Sequence, residues 1–177
     1  MSDRNTLGLN IRNATSADEL SIAVLGMQVF LDTYATEGIR DALAREVLEA
    51  FSPEKISSLI ARPDIALLVA QARGHLLGFA QIAVRTDHPM IGDPDAAELQ
   101  RLYVQERFTG HGIGWQLLER AQVQAASRGA SRLWATVWTG NHRAMSFYPR
   151  QGYWHAGSPV YRLQGEVHEN ALFCKAL

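Results

Sequence analysis

Cysteine is nearly absent. Cys174 is the only one in 177 residues, which excludes an internal disulfide framework and a multi-cysteine zinc site. Long apolar runs are missing too: the longest, residues 65–70, falls far short of the ~20 residues that a membrane-spanning helix needs. The first residues, Met1-Ser2-Asp3-Arg4, lack the apolar stretch of a secretory signal, so the expected location is cytoplasmic. Neither sign of charge dominates. With 17 Lys+Arg against 18 Asp+Glu the formal charge is −1, which offers no global basic field, and neither nucleic acid nor membrane is an expected partner. The six His are scattered without ligand spacing and no GxSxG elbow occurs, so neither a metal site nor a serine hydrolase is expected. What is present is ordinary for a globular chain: 47 % hydrophobic and 20 % charged residues, in a length that suits one domain over 1–177.

The pattern of elements is mixed α/β. Leu7 to Arg12 alternates as an opening strand, and Thr15 or Ser16 caps a helix in which Leu20, Val24, Met27 and Leu31 recur at helical spacing as far as Tyr34. Ile39, Leu43, Val47 and Leu48 mark a second helix, and Ser52-Pro53 restarts the pattern as a third that ends near Ala61. Residues 65–71 and 76–84 read as a hairpin turned at Arg73-Gly74-His75, residues 85–95 as a loop, and 98–104 as a strand. Gly112 to Arg128 is the strongest helix, with Ile113, Leu117, Leu118, Ala121 and Ala125 in one stripe and Gly129 as its terminator. A strand over 133–138, a short helix over 141–151 and strands over 153–163 and 170–175 complete the chain. Cys174 reads as core, and Trp115, Trp134, Trp138 and Trp154 as packing residues.

The stretch Thr109-Gly110-His111-Gly112-Ile113-Gly114 feeds a strand into an amphipathic helix. Free N–H groups at a helix start, backed by the positive dipole end, make an anion site, and glycines let a phosphate approach the backbone closely. The dinucleotide fingerprint would need Gly or Ala where Trp115 stands, and no Lys-Ser or Lys-Thr follows for a phosphate loop. The remaining pattern resembles the pyrophosphate motif [Gln/Arg]-x-x-Gly-x-[Gly/Ala] of the GNAT superfamily of acetyl-CoA-dependent N-acetyltransferases, with Thr109 in place of the usual long polar side chain and Arg107 nearby.

A second motif follows about thirty residues later: Asn141-x-x-Ala144-x-x-Phe147-Tyr148-x-x-x-Gly152-Tyr153. It is similar to the other hallmark of that superfamily. Asn141 is a good N-cap, and Ala144, Phe147 and Tyr148 share one side of a short helix that Pro149 should bend or end. The resemblance implies a single-domain fold with a mostly antiparallel twisted sheet of about seven strands flanked by helices. It also implies that acetyl-CoA is the co-substrate, that Thr109 to Gly114 and Asn141 contact it, and that backbone groups of Leu102, Tyr103 and Val104 meet its pantetheine arm. A phenol protonated at neutral pH is suited to give its proton to a departing thiolate, which is the role implied for Tyr148. Several members carry a catalytic Glu six residues before the equivalent of Val104, and that position is Glu98.

The strings Glu98-Leu-x-Arg-Leu-Tyr-Val104 and Phe30-x-Asp-Thr33-Tyr34 are similar to those of the bacterial spermidine/spermine-type acetyltransferases, which implies a polyamine or other small amine as acceptor, with Thr33 and Tyr34 near its entrance. Two other readings stay open: acetylation of a protein or peptide amine, and a non-catalytic acyl-CoA-binding sensor. A homodimer is an assembly that the resemblance allows. The neutral total also conceals a division. Residues 1–100 carry a balance of −6, residues 101–150 a balance of +5, and Asp87, Asp93, Asp95 and Glu98 gather near the strand start. An anionic co-substrate beside the basic segment and a cationic amine beside the acidic one would suit it.

Overall fold

Apolar residues on both faces of a strand demand cover on both faces, and the two most apolar strands of this chain are buried almost end to end. The structure, a computed structural model, describes residues 8–163 and 166–177. Along the chain it contains β1 (Asn10–Asn13), α1 (Glu19–Tyr34), α2 (Asp41–Ala50), α3 (Pro53–Ala61), β2 (Ile65–Ala72), β3 (His75–Ala83), β4 (Ala97–Val104), α4 (Ile113–Ser127), β5 (Arg132–Trp138), α5 (His142–Arg150), β6 (Trp154–Gly157), β7 (Val160–Leu163) and β8 (Glu166–Ala176). The chain divides into two compact units, residues 1–81 with 101–121 and residues 82–100 with 122–177.

In the first unit the strand order is β1-β2-β3-β4. β1 runs antiparallel to β2, with Ile11 opposite Ala70. Arg73 (φ 50°) and Gly74 (φ 80°) supply the left-handed pair that a tight β2–β3 turn requires. Ser52 caps α3 by accepting from the Lys55 N–H (3.1 Å), one residue before the Pro53 that opens it. The two oxygens of Asp18 accept from Arg12 at 2.7 and 2.8 Å, and one also accepts the Thr15 N–H (2.8 Å). That set ties β1 to the 3₁₀ turn before α1 and holds the Asp18 carboxyl down at about 2, chiefly through the Arg12 hydrogen bonds.

In the second unit the order is β4-β5-β8-β6, with β7 also on β8. β4 and β5 are parallel through Ala97–Leu133 and Glu98–Trp134, whereas β5 and β8 pair antiparallel from Arg132–Ala176 to Trp138–Asn170. Ala96, Trp134, Leu172 and Cys174 form a buried cluster, and the Trp134 indole N–H donates to the Thr86 carbonyl (2.7 Å).

The mixed α/β class and the mostly antiparallel sheet agree with expectation, and four details are corrected. The opening strand begins at Asn10, and Leu7 lies outside the described residues. The buried face of α1 is formed by Ile22, Ala23, Leu25 and Gly26, while Leu20 and Val24 are each 66 % exposed. The reason is close packing: Gly26 has the Phe51 ring against it, which a stripe centred on Leu20 and Val24 would not permit. The strand expected over 153–163 is two strands, β6 and β7, parted at Ser158-Pro159, so eight strands are present among the described residues. Pro159 has no N–H for a ladder and instead accepts the Asn170 N–H (3.0 Å). Finally, packing does not account for Trp115 and Trp154, which are 42 % and 43 % exposed; the Arg132 guanidinium lies 6.0 Å from the Trp154 ring.

Candidate active site

The glycine turn lies in the first unit, where β4 ends and a 3₁₀ turn over 106–108 leads to α4. Gly110 and Gly112 both have φ 79°, a left-handed backbone that other residues enter only with strain, and a Cβ at either would meet nothing within 4 Å. The space beside their backbone is therefore open. Ile113, 1 % exposed, anchors the first turn of α4 from below, and the stripe of Leu117, Leu118, Ala121 and Ala125 is fully buried. The first N–H groups of α4 have no intrahelical acceptors, and the open glycines come immediately before them in the chain. That cradle fits a phosphate. Thr109 is engaged locally, its hydroxyl donating to the Glu106 carbonyl (2.8 Å), and His111 Nδ1 lies 3.0 Å from the Thr109 carbonyl.

Arg107 is exposed beside the turn. It also lines an open groove of about 1110 Å³ together with Leu20, Val24, Arg73, His75 and Phe108, which is where the two exposed aliphatics of α1 point.

Leu102, Tyr103 and Val104 are half-buried and lie past the end of the β4–β5 ladder. Their spacing from β3 is set by Gly78, where a Cβ would stand 2.5 Å from the Tyr103 carbonyl oxygen and 3.2 Å from Val104. At the end of α1 the Tyr34 ring packs on Phe30 (4.7 Å between centroids), and burial pushes its phenol pKa up, with Glu46 adding to the rise and Arg101 opposing it. Thr33 is not aimed the same way. Its hydroxyl donates back to the Val29 carbonyl (2.8 Å) within α1.

In the second unit Asn141 does what its position suggests, accepting the Ala144 N–H (3.1 Å) at the start of α5. α5 ends one residue past Pro149, and Gly152, in a left-handed conformation, turns the chain back through its N–H to the Pro149 carbonyl (3.1 Å). Tyr148 is 5 % exposed and stacks on Phe173 (5.6 Å between centroids, 18° between planes), with Tyr153 and Phe147 at its edges. Glu98 is half-buried on β4 and accepts from the Gln100 amide (3.0 Å).

Two of the acidic residues near the strand start, Asp87 and Asp93, are spent on closing the loop. One Asp87 oxygen accepts the N–H groups of His88 and Asp93 (2.7 Å each). Asp93 accepts from the Asp95 N–H (3.1 Å) and the Ser131 hydroxyl (2.6 Å) and pairs with Arg132 (3.1 Å). Sequence reasoning saw this cluster as charge and missed the loop closure that consumes it. It also missed the grouping of Arg101 with Gln81 (2.6 Å), twenty positions away, for which the alternation of Arg101 and Tyr103 on one strand face was the available signal. Among the described residues no three His, Cys, Asp or Glu side chains are grouped to hold a metal ion, and no helix is long and apolar enough to cross a membrane.

Comparison with known proteins gives a consistent result. Residues 36–153 match the model of the acetyltransferase (GNAT) family. An uncharacterized N-acetyltransferase of Mycobacterium bovis is 30 % identical over 156 residues, covering 88 % of this chain and 94 % of the relative. A spermidine N(1)-acetyltransferase of Thermoplasma acidophilum is 26 % identical over 83 % of this chain and 89 % of its own. The crystal structure of the PaiA N-acetyltransferase of the same organism, in complex with coenzyme A, superposes with a TM-score of 0.74 at 24 % identity, covering 96 % of this chain and 99 % of that one.

Proposed function

The chain belongs to the acetyltransferase (GNAT) family and is an N-acetyltransferase, and on that premise we propose that it moves an acetyl group from acetyl-CoA to a small primary amine by direct attack. The observation that carries this reading is the open glycine cradle at the start of α4. The N–H groups there would hold the pyrophosphate, with Gly110, Gly112 and Gly114 keeping side chains out of its way and Arg107 adding charge. Thr109, His111 and Ile113 complete the turn. Leu102, Tyr103 and Val104 would offer backbone groups to the pantetheine arm, and Asn141 would orient the second motif.

Acetyl-CoA, when bound, supplies a thioester whose C–S bond breaks as the new N–C bond forms. The chain's own residues manage the protons. Glu98, directly or through a water, would take the proton that the amine loses, and Tyr148 would give its phenolic proton to the departing sulfur. Packing of Tyr148 between Phe173 and Tyr153 supports that role by fixing the ring, since a donor must be held in place to act. No covalent enzyme intermediate is needed. Residues 1–177 would form one cytoplasmic acetyltransferase domain. Polyamines belong among the acceptors to be tried because of the spermidine N(1)-acetyltransferase relative and the shared strings; Thr33 and Tyr34 would stand at the acceptor entrance.

The test is release of free thiol from acetyl-CoA in the presence of spermidine, small monoamines and peptides in turn. Amine-dependent release on a small amine is expected. Release on peptides alone would move the acceptor to a protein or peptide amine, and coenzyme A binding without release on any amine would replace the enzyme by a sensor.

A further inference from the structure

The groove of about 1110 Å³ beside the glycine turn lies wholly within the first unit, and most of its lining is unused by acetyl transfer as described above. Leu20, Val24 and Gln28 line it one turn apart along α1, a row about 12 Å long. Leu20 and Val24 are each 66 % exposed, whereas Leu25 and Leu77, which also line the groove, are buried and Phe108 is half-buried. The Gln105 side-chain amide donates to the Gln28 side-chain oxygen (2.7 Å) and ties the helix to the segment after β4. Exposed aliphatics scattered singly need no explanation, but neighbours along a groove with polar residues at its edges mark a surface that binds.

The lining is also basic. Arg73, His75 and Arg107 belong to it against one acid, Glu106. Elsewhere the chain pairs its guanidiniums, Arg12 with Asp18, Arg62 with Asp64 and Arg132 with Asp93. Arg73, His75 and Arg107 are exposed, and among the described residues their side chains have no hydrogen-bond or ion-pair partner. Two guanidiniums thus keep their donors for whatever fills the groove. Three kinds of occupant fare differently there. A second copy on a twofold axis would set Arg73 and Arg107 against the same basic patch, with Glu106 as its one acid. A small acid resting on Leu20 and Val24 would keep much of its surface in water, whereas small-molecule sites enclose most of the ligand. A chain segment with acids beside aliphatic side chains would cover the row and pair both guanidiniums.

We propose that the groove formed by α1, the β2–β3 turn and the segment after β4 docks an acidic, aliphatic-bearing segment of a partner protein, its aliphatic side chains on Leu20 and Val24 and its carboxylates on Arg73 and Arg107. The inference goes beyond acetyl transfer and does not depend on it. Arg107 is common to the groove and the glycine turn, so binding is measured without coenzyme A.

The experiment selects phage-displayed random peptides of about twelve residues on the full chain and, in parallel, on Val24→Asp, a change at an exposed position that leaves the core untouched. Peptides enriched on the wild type alone should carry Asp or Glu beside Leu, Ile or Val. A synthetic copy of the most enriched, followed by fluorescence anisotropy, should bind the wild type about tenfold or more tighter than Val24→Asp. It should lose a similar factor when its acids are replaced by amides, because each charge-assisted contact goes with its carboxylate. Arg73→Asn, a residue that accepts the left-handed backbone there (φ 50°), should weaken it several-fold, and Leu48→Asp, 60 % exposed on α2, should leave it unchanged. No peptide that tells the two proteins apart, or enriched peptides without acids, would overturn the proposal. So would a monomer–dimer equilibrium in sedimentation that Val24→Asp abolishes, which assigns the face to a second copy. Octanoate binding that Val24→Asp abolishes, with no peptide bound, would overturn it in favour of a small acid.

Discussion

At the scale of single residues, the proposed chemistry rests on Tyr148. Its ring is held by stacking on Phe173 and by the edges of Phe147 and Tyr153, interactions that a phenylalanine retains. Tyr148→Phe should therefore keep its fold and its coenzyme A affinity while losing about tenfold or more in kcat, as expected when a proton donor is removed. Steady-state kinetics beside calorimetric binding checks this, and unchanged turnover would take Tyr148 out of the mechanism. Asp18 makes a structural counterpart. Its carboxyl is held at about 2 against the ordinary 3.8 by Arg12 and Thr15, so it contributes stability that is fully present above about pH 4 and is lost as the pH falls toward 2. Asp18→Asn should lower stability at neutral pH by about 1–2 kcal/mol and flatten the acid limb between pH 4 and 2 in urea titrations. The surroundings of these two residues were unequally legible. Tyr148 could be found because it sits in a motif whose spacing is local, whereas the Arg12–Asp18 pair depends on how β1 meets the turn before α1, which no local pattern encodes.

At the scale of elements, two glycines make opposite predictions. Gly112 faces open space and its φ is left-handed, so Gly112→Val should cost modest stability through backbone strain and abolish measurable coenzyme A binding by filling the cradle. Gly78 is closed in by the Tyr103 carbonyl, Val104 and Leu117, none of which can retreat without moving β4 or α4. Gly78→Ala should destabilise the fold by about 1–3 kcal/mol and weaken coenzyme A binding as a consequence of moving β4. Thermal melts and binding isotherms on both variants separate the two mechanisms. Helix α4 was legible to within a residue because its apolar stripe repeats without a break and Gly129 ends it. Helix α1 was legible in extent but not in face: Leu20, Val24, Met27 and Leu31 share helical spacing, and so do Ile22, Leu25 and Gly26. Only the Phe51 ring seated on Gly26 decides between the two stripes. The break between β6 and β7 was written in Pro159, but the gain of pairing both pieces with a longer β8 is non-local.

At the scale of the whole molecule, the formal charge of −1 divides into an acidic first hundred residues and a basic stretch over 101–150 that contains the glycine turn and the second motif. The basic part suits an anionic co-substrate. The acidic part does not act as one field, because Asp87 and Asp93 are bound into loop closure and Asp18 into a cap. Composition reports how many charges a chain has and is silent on which of them the fold uses up, so the acceptor was the least legible part of the site. The family, in contrast, was readable from two motifs in order, and the match over residues 36–153 spans both of them. The most direct test of direct acetyl transfer follows the fate of the acetyl group itself. Acetyl-CoA labelled in the acetyl carbons is incubated with the protein and a mixture of primary amines, and both protein and amines are weighed by mass spectrometry. The label should appear on amine nitrogen with the mass of the protein unchanged throughout turnover. Label retained on the protein, or none on any amine, would contradict the account.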